Sequence, residues 1–274
     1  MLVTLLLFSL TAVAVKELTE NLNTSEIIFF RSLVSIIIII PIVAFFGFKQ
    51  IQTKNIGRHF TRNTAHFFGQ YGWIYGISLI PLAEVFALEF TVPIWTAIIA
   101  TILLKERLTK IRVYSIALGF IGVLIILRPG LDIIQIASVA VILGAMSYAL
   151  SHTLTKSLVQ KDTPLSIIFY MALLQLPMAL LLSFNNLAIP SGMMWVWIVI
   201  AGITAMLAHY CMSKALTYAD AMVVVPMDFL RLPLIMVVGF ILYNENIEWL
   251  ILVGALVMLV GNFIGLKYDN RIRS

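Results

Sequence analysis

Apolar residues run along this chain in long unbroken stretches, parted by short polar clusters. Runs such as Ile36–Ile40 show no alternation, which argues against the roughly ten-residue alternating strands of a membrane barrel. Cutting at the polar breaks gives ten segments, at about 1–16, 26–46, 61–79, 83–104, 111–128, 133–155, 164–184, 192–215, 220–243 and 247–268. At about 1.5 Å per residue each is long enough, or nearly so, to cross roughly 30 Å of hydrocarbon as a helix. The pattern predicts an all-α membrane protein of ten transmembrane helices, with no stretch polar enough for a separate soluble domain. The first segment is short, and Ala12-Val-Ala14 resembles a signal-peptidase site. It lacks the basic start of a signal peptide, so it reads as a first helix, with an upstream start left open.

Composition agrees. The 274 residues are 61% hydrophobic and 11% charged, where soluble domains carry about 25% charged residues. The net charge of +5 does not indicate nucleic acid, because Lys and Arg fall in the connections between segments. With ten spans and a cytoplasmic N-terminus, 13 of the 18 basic residues lie inside. They form the groups Lys49 to Arg62, Lys105 to Arg112, and Lys156 with Lys161, plus a tail holding Lys267, Arg271 and Arg273. Outside, Lys16 and Arg128 stand among seven acids, while Arg31, Lys214 and Arg231 fall within spans. This positive-inside bias predicts both termini in the cytoplasm and, for a bacterial chain, an inner-membrane location. The lone Cys211 excludes an intrachain disulfide and a Cys-based zinc site.

Two acids sit deep in apolar segments at matching places. Shifting the chain by 139 residues lays Glu89 on Asp228, Tyr71 on Tyr210, Phe90 on Phe229, Glu106 on Glu245 and Gly122 on Gly261. An ionised group at membrane depth costs roughly 2.5–3.5 kcal/mol on insertion scales, so such residues are normally functional. The offset divides the chain into units 1–130 and 131–274, each of five spans. Five is odd, so the units must be inverted relative to each other, as in transporters whose site lies between repeats.

The chain resembles the EamA-type transporters of the drug/metabolite transporter superfamily over its whole length. The residues that carry the likeness are Glu26-Ile-Ile-Phe-Phe-Arg31, Pro81-Leu-Ala-Glu-Val-Phe-Ala-Leu-Glu-Phe-Thr-Val-Pro93, Leu104-Lys-Glu-Arg-Leu108 and Gly119-Phe-Ile-Gly-Val-Leu-Ile-Ile-Leu-Arg-Pro-Gly130. The second half departs, with Asn244-Glu245-Asn246 where the first has Lys105-Glu106-Arg107. The resemblance implies a ten-helix bundle of two inverted repeats. It also implies a central cavity lined by the first, third, fourth, sixth, eighth and ninth helices, and alternating access without ATP. Independently, no phosphate-loop motif occurs in the sequence.

Glu89 is the first candidate for function, as a substrate-binding and proton-coupling group. Pro93, four residues on, lacks the amide hydrogen that would pair with the carbonyl of residue 89. The alternative is a helix-holding pair between Glu89 and Arg31. Asp228 and Arg231 stand three residues apart and can pair directly, and Pro226 and Pro233 flank them as helix breakers. They form either a self-neutralised ion pair or a zwitterion site. Arg31 either joins the site or snorkels to the membrane surface. Trp73, Tyr75, Phe90, Trp95, Tyr148 and Tyr210 are the aromatic candidates for substrate contact, with Tyr71, Phe86 and Phe229 at similar depth. Trp195 and Trp197 read as interface anchors, and Lys214 as a snorkelling lysine. His66, His152 and His209 lack ligand spacing, so no metal site is expected and a hydrogen-bonded helix contact fits better. Ser147, Ser151 and Thr155 form a polar stripe suited to helix packing or cavity lining.

The sequence thus predicts a secondary active transporter of a small polar metabolite: an amino acid, an amino-acid derivative or an organic cation. It would work by alternating access, coupled to protons or by exchange, with no cofactor. A translocator of lipid or a lipid-linked group is the alternative, and a membrane-embedded transferase a remote one, since no nucleophile–base set appears. The partners expected are the small-molecule substrate and the lipid bilayer, with no nucleic acid; a homodimer stays open.

Overall fold

A computed structural model describes residues 1–273 apart from 106–108, 128–134, 186 and 247. Glu106, Arg107, Arg128 and Asp132 therefore lie outside the described residues, as do the side chains of Arg112, Pro226, Phe229, Pro233, Lys267, Arg271 and Arg273. The described residues form helices and short connections, with no strand among them. In order these are α1 (Leu2–Thr19), α2 (Thr24–Phe46), α3 (Ile56–Leu79), α4 (Leu82–Glu89), α5 (Val92–Leu103), α6 (Lys110–Leu127) and α7 (Ile136–Leu158). There follow α8 (Pro164–Ser183), α9 (Met193–Tyr218), α10 (Ala221–Val224), α11 (Arg231–Tyr243) and α12 (Trp249–Arg273). Short 3-10 turns occupy Phe48–Ile51 and Val225–Leu230.

Six of these elements are long and apolar enough to cross a membrane, taking α4 and α5 together: α1, α2, α4–α5, α7, α8 and α9. The chain is a multi-pass integral membrane protein. Two of the ten apolar segments are interrupted: the fourth at Phe90 and Thr91, the ninth by the 3-10 turn at Val225–Leu230. Pro93 stands in the first turn of α5, where a proline costs no intrahelical bond but cannot continue the ladder from α4.

Several segment ends differ from the sequence reading. Helix α1 reaches Thr19 and α12 reaches Arg273, so the basic residues taken as a C-terminal tail belong to a helix. Helix α3 begins at Ile56, not at 61, and takes in Arg58, His59 and Arg62. Arg62 is a buried residue of α3 rather than a loop cation: it donates to Thr155 Oγ1 at 3.0 Å and Asn63 Oδ1 at 2.6 Å. His59 is also buried and bonds Asp162 at 2.9 Å. These polar groups look like a loop in the sequence, yet they share the face of α3 turned to α7 and α8, where partners satisfy them.

The helices pack in pairs: α3 on α7, α1 on α9, α2 on α8, α6 on α12, and α4 on α11. Close approach needs glycine at two crossings. A Cβ on Gly144 of α7 would lie 2.9 Å from Gly69 O of α3, and one on Gly122 of α6 would lie 2.6 Å from Gly254 O of α12. Polar ties fasten the helix ends. Asn23 and Glu26 form a reciprocal cap on α2, with Asn23 N donating to Glu26 Oε2 at 2.7 Å. Glu245 accepts Leu82 N at 2.9 Å and so caps α4 from 163 residues away. Lys16 at the end of α1 donates to Ile77 O near the end of α3 at 3.0 Å. Lys156 at the end of α7 donates to Leu216 O near the end of α9 at 2.9 Å. Each lysine brings positive charge to the negative end of a neighbouring helix.

Candidate functional site

Where the two broken segments meet, charge is buried. Glu89 is the last residue of α4, Asp228 lies in the 3-10 turn, and Arg231 opens α11. Arg231 Nη2 donates to Asp228 Oδ2 at 2.6 Å and to Glu89 Oε1 at 3.1 Å, so one guanidinium holds two carboxylates. Trp73 Nε1 of α3 donates to the other oxygen of Glu89 at 2.9 Å. The guanidinium also lies over the Phe86 ring, 4.6 Å from its centroid, and 5.1 Å from that of Phe8. Asp228 Oδ1 and Arg231 Nε are buried and lack a partner among the described residues. Such groups in a native fold call for water, an ion or a ligand.

The triad faces a small cavity lined by Phe8 and Thr11 of α1, Arg31 of α2, Trp73 of α3, Glu89, Tyr148 and His152 of α7, His209 and Met212 of α9, Asp228 and Arg231. A second small space shares the triad and adds Phe90, Val92, Pro93 and Val225. Both acids line these two spaces. Arg31 is buried and turned inward: its Nη2 donates to Gln70 Oε1 of α3 rather than to Glu89. The alternative of a helix-holding pair between Glu89 and Arg31 does not form; Glu89 pairs with Arg231, because α11 packs directly on α4.

The aromatic candidates divide. Trp73, Phe90 and Tyr148 line the two spaces. Tyr75 and Trp95 do not: Tyr75 packs against the core, and Trp95 meets Phe120 edge-on at 5.7 Å. Tyr210 lies elsewhere, in a lipid-side groove with Ile42, Phe46 and Met206, and Tyr71 is exposed. Both tyrosines sit on the outward sides of α3 and α9, one residue past Gln70 and His209, which are buried.

A histidine cluster went unread as part of this region. His66 Nε2 and His209 Nε2 lie 3.1 Å apart, and His66 Nδ1 meets Gln175 Nε2 of α8 at 2.8 Å. The His152 ring stacks on Tyr148, with 5.9 Å between centroids. The signal was present locally: His59, Arg62, His66, Gln70 and Trp73 follow each other at spacings of three and four, one face of a helix. The pairing of His66 with His209 had no local signal, since 143 residues separate them. Ser151 and Thr155 are buried in the helix contact, Thr155 as the acceptor for Arg62, and Lys214 is exposed. Among the described residues no cluster of three or more His, Cys, Asp or Glu has the arrangement to hold a metal.

The family described as the EamA-like transporter family matches residues 1–128 and again 135–266. An S-adenosylmethionine uptake transporter of Rickettsia prowazekii is 27% identical over 244 residues, covering 89% of this chain and 83% of that protein. A riboflavin transporter of Brucella anthropi is 30% identical over 223 residues, covering 79% and 78%. A riboflavin transporter of Vibrio cholerae is 29% identical, covering 77% and 72%. One crystal structure superposes with a TM-score of 0.74 over the whole of this chain and 97% of its own, at 16% identity, which speaks to the fold alone.

Proposed function

The chain belongs to the EamA-like transporter family, and from that premise we propose that it is a secondary transporter of a small polar metabolite, working by alternating access between two inverted five-helix units. In this reading the units are residues 1–130 and 131–274, the interrupted segments α4–α5 and α10–α11 each count as one span, and both termini face the cytoplasm of a bacterial inner membrane. Helix pairing supports it. Under exchange of the units, α1 on α9 maps to α7 on α3, α4 on α11 maps to α10 on α5, and α2 on α8 and α6 on α12 map onto themselves. The lysine ties follow the same rule: Ile77 and Leu216, the carbonyls capped by Lys16 and Lys156, are 139 residues apart. The family and its named relatives support small-molecule transport over enzyme chemistry.

One observation carries the site: two carboxylates share a single arginine beside a cavity. The triad has one negative charge to spare. A proton or a cationic group of the substrate can neutralise it, and the two compete. Competition for one charge, with affinities that differ between inward- and outward-open states, is what exchange or proton coupling requires. Glu89, held by both units, is the group placed to carry the proton. The substrate class is an amino acid, an amino-acid derivative or an organic cation, and the aromatic walls of Phe8, Trp73 and Tyr148 suit a cationic or planar group.

The test is flux into proteoliposomes holding the purified protein. Radiolabelled S-adenosylmethionine, riboflavin, amino acids, polyamines and betaines are offered with and without a pH gradient. Saturable uptake of at least one of them is expected. Movement of a fluorescent lipid between leaflets, with no metabolite uptake, would instead favour a lipid translocator.

A further inference from the structure

Arg31 is a buried cation with an incomplete set of partners. It is 5% exposed and lines the cavity, and its one side-chain bond among the described residues goes to Gln70, a neutral amide. A guanidinium offers five donors, and a single bond to an amide does not offset the removal of a full charge from water. Gln70 is fully buried as well, and its Nε2 has no partner among the described residues. Snorkelling does not explain the arginine, because it turns inward to α3 instead of outward to headgroups. Arg231 is differently placed: both its carboxylate partners are already in contact. The cavity therefore has two poles of opposite sign. One is the triad, with a spare negative charge and the unpartnered Asp228 Oδ1; the other is Arg31 backed by Gln70.

We propose that Arg31 is the specificity-determining residue for an anionic group, and that the substrate is a zwitterion whose carboxylate docks on Arg31 while its ammonium or other cationic group meets Asp228. This rests on the transport reading above and narrows it: an organic cation without a carboxylate is not a substrate. Arginine suits the task because its planar fork takes a carboxylate through two parallel bonds. Arg231 stays with Glu89 and Asp228 and does not bind the carboxylate.

Ligand matching tests this. The twenty L-amino acids are titrated against the full-length protein in detergent, each beside its carboxamide and its deaminated acid. At least one amino acid is expected to bind, with its carboxamide weaker by about tenfold or more. Gln70→Glu, close in shape, gives Arg31 a carboxylate of its own and should abolish that preference by weakening the acid alone; Arg31→Lys should keep part of it. Equal binding of acid and carboxamide to the native protein overturns the proposal. So does a preference that survives Gln70→Glu, or binding confined to cations lacking a carboxylate, or no binding by any amino acid. Flux separates this from the broader reading. Transport of a carboxylate-free cation defeats the role of Arg31 and leaves the transporter, whereas absence of all metabolite flux defeats the transporter.

Discussion

The two interrupted helices break at matching places along the chain and differ in what they supply. Each breaks beside an acid, and the acids lie 139 residues apart. Yet the break in the first half has only an acid, while that in the second has an acid and an arginine. At the same offset Val92 stands where Arg231 does, and Met212 where Trp73 does. Glu89 is therefore bound by a tryptophan of its own half and an arginine of the other, whereas among the described residues Asp228 has Arg231 alone, three residues away. The family model matches each half once, and differences at a few offset-matched positions make the two acids unequal. The more constrained acid bridges the halves; the other keeps an oxygen without a partner among the described residues.

The hardest test of this asymmetry removes the shared cation. Arg231→Ala leaves two carboxylates beside each other without compensation. It should destabilise the protein by about 3–5 kcal/mol and abolish transport, read by thermal unfolding in detergent and by flux. A smaller effect would mean that the triad is not a unit. Moving the arginine asks whether the frame is symmetric: Val92 is buried against the same space, three residues beyond Glu89. Arg231→Val with Val92→Arg should recover part of the stability lost in Arg231→Val alone, and no recovery would show that the halves are no longer interchangeable.

Milder changes separate the two acids. Trp73→Phe deletes a donor to Glu89 that Asp228 has no counterpart for, and should cost about 1–3 kcal/mol in unfolding. Glu89→Gln and Asp228→Asn are then compared by flux against pH. Glu89→Gln should flatten a profile that in the native protein varies by about tenfold, while Asp228→Asn should keep the profile and weaken substrate binding. The reverse pattern would move the proton to Asp228.

The legible part of this protein was its apolar rhythm and its exceptions. The runs gave the helices, the prolines marked where two of them break, and Glu89, Asp228 and Arg231 stood out because charge is costly in such runs. The illegible part was polar and helical at once. Arg58, His59 and Arg62 read as a loop because five of the six residues 58–63 are polar, and only partners far along the chain make the burial of His59 and Arg62 tolerable. Tyr210 failed for a related reason. The offset matches it to Tyr71, but a matched position says nothing of which face of a helix turns inward; one residue earlier, Gln70 and His209 do.

That polar face of α3 bears on how the chain is made. A helix carrying His59, Arg62, Asn63, His66 and Gln70 on one side has no comfortable resting place in lipid by itself. The hydroxyl that meets Arg62 belongs to Thr155, 93 residues further along, and at about 5–20 residues per second it leaves the ribosome several seconds later. For that interval α3 must wait within the insertion machinery, at the membrane surface or against the helices already made. Its final place in the bilayer is granted only when α7 arrives, so the second half acts as a chaperone for the first.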